Sequence, residues 1–104
     1  MKRIALAFAG IAMASATPAL AWEDILPQSS QVFLTGDDLG GLDCDQLWHA
    51  RNEIYARNGY KFLTARAKAE FGTDGTTRNP QLNRFEQKNI ALIQAAEAAS
   101  YCAE

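Results

Sequence analysis

Asp43 to Tyr60, DCDQLWHARNEIYARNGY, is the stretch that most narrows what this chain can fold into, because it carries a start, a periodic body and a stop. Asp43 is a good N-cap, and Gln46 three residues later completes the pattern in which the two side chains bond each other's backbone. Asn58-Gly59 ends the helix: Gly59 can take the left-handed conformation needed beyond the cap, leaving Tyr60 to close over Tyr55 and Ile54. At about 100° per residue, Cys44, Leu47, Trp48, Ala50, Ile54 and Tyr55 share one side. His49, Glu53 and Ala56 fall on the other, which is expected to face water. Arg51 and Asn58 interrupt the apolar side. A buried guanidinium without an acceptor is costly, so Arg51 pairs with a carboxylate or carbonyls from elsewhere, snorkels, or binds a ligand.

The start of the chain reads as an address. Met1-Lys2-Arg3 is basic, Ile4 to Met13 is a compact apolar run, and Ala19-Leu20-Ala21 offers small residues at both positions of a signal-peptidase site. The expectation is a signal peptide over residues 1–21, cleaved after Ala21, and a periplasmic or secreted mature chain of residues 22–104. Trp22 follows the cut, so no lipidated cysteine is expected. No later run is long and apolar enough to span a bilayer, so no membrane insertion is expected. Lys2 and Arg3 leave with the peptide, so eight basic residues remain against twelve acidic ones, a net charge of −4. That balance, with no basic patch, argues against nucleic acid as a partner.

A mature chain this short makes a single domain with a small core, and such domains often need a covalent staple. Cys44 and Cys102 are the two cysteines, and in an oxidising compartment they read as one disulfide. Closing so long a loop is worth roughly 4 kcal/mol. The rival reading, two free thiols or a metal pair, has only one His to draw on and no close ligand spacing, so no metal or cofactor is expected.

After the cut, Trp22 to Gln31 reads as an extended arm anchored by Ile25 and Leu26. Thr35 with Asp38 caps a short turn through Leu39, which Gly40-Gly41 stops. Thr64 caps a short helix over Ala65–Phe71, and Thr73 to Pro80 is a loop by composition. Asn83 with Glu86 opens a second long helix near Arg84–Glu97, whose apolar side holds Phe85, Leu92, Ile93, Ala96 and Ala99, with Asn89 in the stripe. The spacing predicts an all-α fold: two long antiparallel helices, short helices, an N-terminal arm and one disulfide. Arg51, Glu86 and Asn89 are expected to form a buried network between the long helices, with Arg57 a competitor for Glu86.

Tyr55-Ala56-Arg57-Asn58-Gly59, preceded by Arg51-Asn52-Glu53-Ile54 and followed by Tyr60 and Phe62, resembles the motif of the YARHG domain, with Asn58 in place of the motif His. Ile25-Leu26-Pro27, Ser29, Leu34-Thr35 and Asp38-Leu39 are similar to the N-terminal half of that family. Leu82, Glu86, Asn89-Ile90 and Ile93 are similar to its closing helix. Three separated blocks in order make the resemblance specific over about Ile25 to Ile93. The chain departs from it in the loop Thr73–Arg78, where the family usually carries a Trp-Tyr pair. The resemblance implies a small bacterial extracytoplasmic module with no activity to carry over, and no role of the motif His transfers to Asn58.

The chemistry left to the residues is modest. His49 sits on the polar side and no Cys-His pair or nucleophile elbow is available. Glu53 reads as an exposed pair with Arg57 four residues on, and Glu86 as a capping or Arg-paired residue. Tyr55, Tyr60 and Trp48 read as core or cap contacts before a glycan-stacking platform. Two function classes follow. The first is a non-catalytic envelope module, binding or structural, whose partner is an envelope protein, a peptide or a cell-wall polymer. Its candidate binding surface is Glu53, Arg57, Asn58 and Tyr60. The second is a small periplasmic hydrolase acting on cell-wall glycan or peptide, or an inhibitor of one. The first reading, non-enzymatic and without catalytic residues, is the one the residues favour.

Overall fold

Each capping pattern that the sequence carries before a long helix is closed in the computed structural model, which describes residues 22–103; the expected signal peptide and its cleavage site lie outside the described residues. The elements are a 3-10 turn at Pro27–Ser30 and four helices: α1 Gly36–Leu39, α2 Cys44–Arg57, α3 Ala65–Phe71 and α4 Arg84–Ala99. Asp43 accepts from the Gln46 amide while Gln46 accepts from the Asp43 amide, at 2.8 and 2.9 Å. Asn83 and Glu86 repeat the exchange at the start of α4. Thr64 accepts from the Ala67 amide at the start of α3. These bonds satisfy donors that a helix start would otherwise leave bare, which is why local signals place the starts so well.

The C-terminus of α2 closes as a Schellman turn, with the Gly59 amide donating to Ala56 and the Tyr60 amide to Tyr55. Gly59 sits at φ 78°. The loop after α3 then folds back onto this end. Thr76 and Thr77 amides donate to the Gly59 carbonyl, the Lys61 amide donates to Thr77, and Tyr60 and Thr77 form an isolated parallel bridge. Gly75 makes this docking feasible, because a Cβ there would stand 2.1 Å from the Tyr60 carbonyl oxygen. Among the described residues the regular structure is helical, as the sequence predicts.

The long helices run antiparallel. Cys44 at the head of α2 bonds Cys102 just past the end of α4, with Cα atoms 5.5 Å apart, while Asn58 at the foot of α2 meets Glu86 at the head of α4. α4 stays regular to Ala99, two residues beyond the expected end near Glu97. The chain then turns through Tyr101 at φ 56°, with the Cys102 amide donating to the Glu97 carbonyl. That turn, and not a frayed helix, brings Cys102 to Cys44.

Two apolar clusters flank α2. Leu47, Ala50 and Ile54 pack with Ile90 and Ile93 of α4, Leu39 of α1, and Leu26 and Leu34 of the arm. On the other flank Phe62, Ala67 and Phe71 pack with Trp22, Trp48, Tyr55 and Tyr60. The arm, expected to be extended, is half a 3-10 turn, and its Trp22 ring stands edge-on to Phe71 at 5.5 Å. α2 is therefore covered on both sides. The side expected to face water is an interior face: Glu53 is 0% exposed and His49 only 8%.

Candidate functional site

The motif residues of α2 spend their polar atoms inside the molecule. Glu53 accepts from the Ile25 and Leu26 amides, one on each carboxylate oxygen at 2.8 Å, and from Arg57 Nη2 at 3.1 Å. Burial pushes the Glu53 carboxyl above its ordinary range. The two amides and the Arg57 charge pull it partly back, and Asp24 adds to the rise. Arg57 donates in turn to Asp24, to the Leu26 carbonyl and to the hydroxyls of Ser29 and Ser30. One guanidinium thus gathers the arm onto α2 with a fork of donors that no other side chain offers.

Ser30 passes the network to α4. Its hydroxyl donates to Glu86 at 2.7 Å, and Asn58 donates to the same oxygen at 2.9 Å while also donating to the Ile54 carbonyl. Burial acts to raise the Glu86 pKa. The Asn83 amide, Ser30, Asn58 and the Arg57 charge outweigh it and hold the carboxyl below its ordinary range. Asn89, with no exposed surface, donates to the Ser29 and Val32 carbonyls and accepts from the Leu34 amide. It fixes the arm where the arm crosses α4. His49 lies between the Glu23 carbonyl (2.9 Å), Glu53 (3.4 Å) and Glu70 (2.8 Å), tying the arm and α3 to α2.

The expected Arg51–Glu86 contact is replaced by another. Arg51 meets Glu97 through two parallel bonds of 2.7 and 3.0 Å. Asn58 stands level with Glu86, whereas Arg51 is seven residues back, about 10 Å along the axis, and its long side chain reaches on towards the disulfide end to Glu97. Glu86 and Asn89 are buried as expected, but they hold the arm and Asn58 and do not touch Arg51. Nor does Arg57 take Glu86 directly; Ser30 stands between them. Of the expected binding surface, Glu53 is fully covered and Arg57 and Asn58 are engaged in the network. Tyr60 is half-buried against Tyr55, ring centroids 5.7 Å apart. The expected exposed Glu53–Arg57 pair and solvated His49 are corrected by the arm and α3, which cover them.

Sequence reasoning passed over several participants. Ile90, Ile93 and Glu97 continue the stripe of Glu86 at helical spacing, so Glu97 was available as a buried position to a finer reading of α4. Ser29, Ser30 and Asp24 give no periodic signal at all, since the arm is not a long helix.

Open space lies elsewhere. A cleft of about 420 Å³ separates α2 from the strap after the loop. Arg51, Asn52 and Tyr55 of α2 form one wall, with Tyr60 at its end. Arg78, Asn79, Pro80 and Leu82 form the other. A second space of about 470 Å³ at the disulfide end is lined by the Arg51–Glu97 pair, whose charges are matched. Among the described residues no three His, Cys, Asp or Glu side chains are placed to hold a metal, and no helix is long and apolar enough to cross a membrane.

The YARHG domain model matches residues 23–98, nearly the whole described chain. Comparison with curated proteins and with solved structures finds no match.

Proposed function

This chain belongs to the YARHG domain family of extracytoplasmic domains, and we propose that it is a non-catalytic module of the cell envelope, exported by cleavage after Ala21 and working by binding. One observation carries this reading: the carboxylates that could do acid–base work are already occupied. Glu53 has the raised pKa that a proton donor needs, but it is fully covered and accepts two amides and Arg57. Glu86 is held in the opposite direction, ionised and saturated by Asn83, Ser30 and Asn58. A general acid must reach the atom it protonates, and neither does. The disulfide and the closed polar interior suit a small domain working outside the reducing cytoplasm.

The motif, in this reading, is a latch that keeps the arm on α2 and leaves the surface to meet a partner. The test is incubation of the purified, disulfide-bonded protein with peptidoglycan and with a peptide library. No turnover is expected. Cleavage by the wild type that Glu86→Gln abolishes would replace this reading with the hydrolase. Terminal sequencing of the exported protein is expected to begin at Trp22.

A further inference from the structure

The polar groups of the motif and its network are matched inside the molecule, whereas several along the cleft between α2 and the Arg78–Leu82 strap are not. Arg57, Glu53, Glu86, Asn58 and Asn89 each meet protein partners. In the cleft, the hydroxyls of Tyr55 and Tyr60, the Asn79 side chain and the whole Arg78 guanidinium have none among the described residues. Asn52 spends its Nδ2 on the Trp48 carbonyl and keeps Oδ1 free, and Arg51 spends Nε and Nη2 on Glu97 and keeps Nη1. Half-buried phenols such as Tyr55 and Tyr60 ordinarily find partners, and with Arg78 and Asn79 exposed at the rim beside them the convergence points outward, to a ligand.

The chemistry of the set narrows that ligand. Two arginines line the cleft and no acid does, although the mature chain is acidic overall. An anionic group is therefore complementary here. A carboxylate alone would need only donors. This cleft also offers acceptors, in Asn52 Oδ1, the Asn79 amide and the two phenol oxygens, and hydroxyl groups use donors and acceptors together. Tyr55, Tyr60, Pro80 and Leu82 add apolar faces on which the C–H face of a sugar ring can lie. The volume suits one or two sugar units, at the small end of ligand pockets. The walls are fixed before any ligand arrives: the loop is bonded to Gly59 and Lys61, and the Asn79 amide donates to Thr77 Oγ1.

We infer that this cleft binds a carboxylated saccharide unit, its carboxylate on Arg78 and its hydroxyls on Asn52, Asn79 and the tyrosines, an inference that rests on the reading of the chain as an envelope binding module. The shared wall residue Arg51 is held in place by Glu97, so Arg78 supplies the unmatched charge.

The test is a titration of the isotopically labelled, disulfide-bonded protein, followed by amide chemical shifts, with three probes. N-acetylmuramic acid and N-acetylglucosamine differ by one carboxylate-bearing ether, and N-acetyl-D-alanyl-D-alanine carries a carboxylate without a sugar. N-acetylmuramic acid is expected to shift the side-chain amides of Asn52 and Asn79 and to bind about tenfold tighter than N-acetylglucosamine, the weight of one charge-assisted hydrogen bond. Arg78→Ala, at an exposed position, is expected to leave the melting temperature in place and to erase that preference. Tyr60→Phe keeps the ring and is expected to weaken both sugars equally. Equal affinity for the two sugars, binding of the dipeptide alone, or indifference to Arg78→Ala would each overturn the site. Failure of all three probes would overturn it as well and leave the non-catalytic reading standing, since that is judged by turnover. Cleavage of a glycan would do the reverse.

Discussion

Glu53 and Arg57 show how one i,i+4 pair changes meaning with its surroundings. On an exposed helix such a pair is worth a few tenths of a kcal/mol. Here both are covered by the arm, and removing one partner strands the other in the interior. Arg57→Ala is expected to cost about 3–5 kcal/mol, measured by chemical denaturation, because the buried Glu53 carboxylate would lose the cation that faces it. Glu86 gives the pH counterpart. Its folded pKa lies below the ordinary 4.5, so its contribution is fully present above that pH and is lost as pH falls through the folded value. Glu86→Gln is thus expected to lower the melting temperature at pH 7 and to converge on the wild type in acid. Parallel curves for the two proteins between pH 3 and 7 would contradict it. Glu53 has the opposite sign: its raised pKa makes ionisation costly to the fold as pH rises above 4.5.

At the scale of elements, starts and stops were legible and faces were not. Caps are local, since Asp43 needs only Gln46 and Asn83 only Glu86, so a short window of sequence contains the whole interaction. The Gly59 stop is local for the same reason. Which side of α2 is buried depends on what packs there, and the arm and α3 are remote in sequence. His49, Glu53 and Arg57 recur every four residues, a polar stripe that reads as solvated until an arm rich in carbonyls and hydroxyls is laid along it. The cleft was invisible likewise, because its second wall comes from a loop read only by composition. Three backbone positions test the element account. Gly75→Ala is expected to destabilise more than Gly59→Ala, which should cost about 1 kcal/mol for a side chain in the left-handed region. The Cβ at residue 75 would instead collide with the Tyr60 backbone. Tyr101→Gly is expected to raise stability by up to about 1 kcal/mol, since Tyr101 holds a positive φ with its ring in solvent. Equal losses at residues 59 and 75 would count against the docked loop.

For the molecule as a whole, the disulfide and the polar network act on different joints. Cys44–Cys102 ties the head of α2 to the end of α4 across 58 residues of sequence. Its reduction is expected to cost about 4 kcal/mol, mostly through the unfolded chain. The arm is outside that loop and has no covalent tie, so it depends on Glu53, Arg57, Asn89 and His49. That division leads to the measurement that bears most directly on the central claim, that the motif is an internal latch. Hydrogen exchange at the Ile25 and Leu26 amides, which donate to Glu53, is expected to be as slow as at the core of α2 in the wild type. In Arg57→Ala it should quicken at these two amides well beyond the change in α2. Rapid exchange at Ile25 and Leu26 in the wild type, or protection unaltered by the loss of Arg57, would contradict the latch.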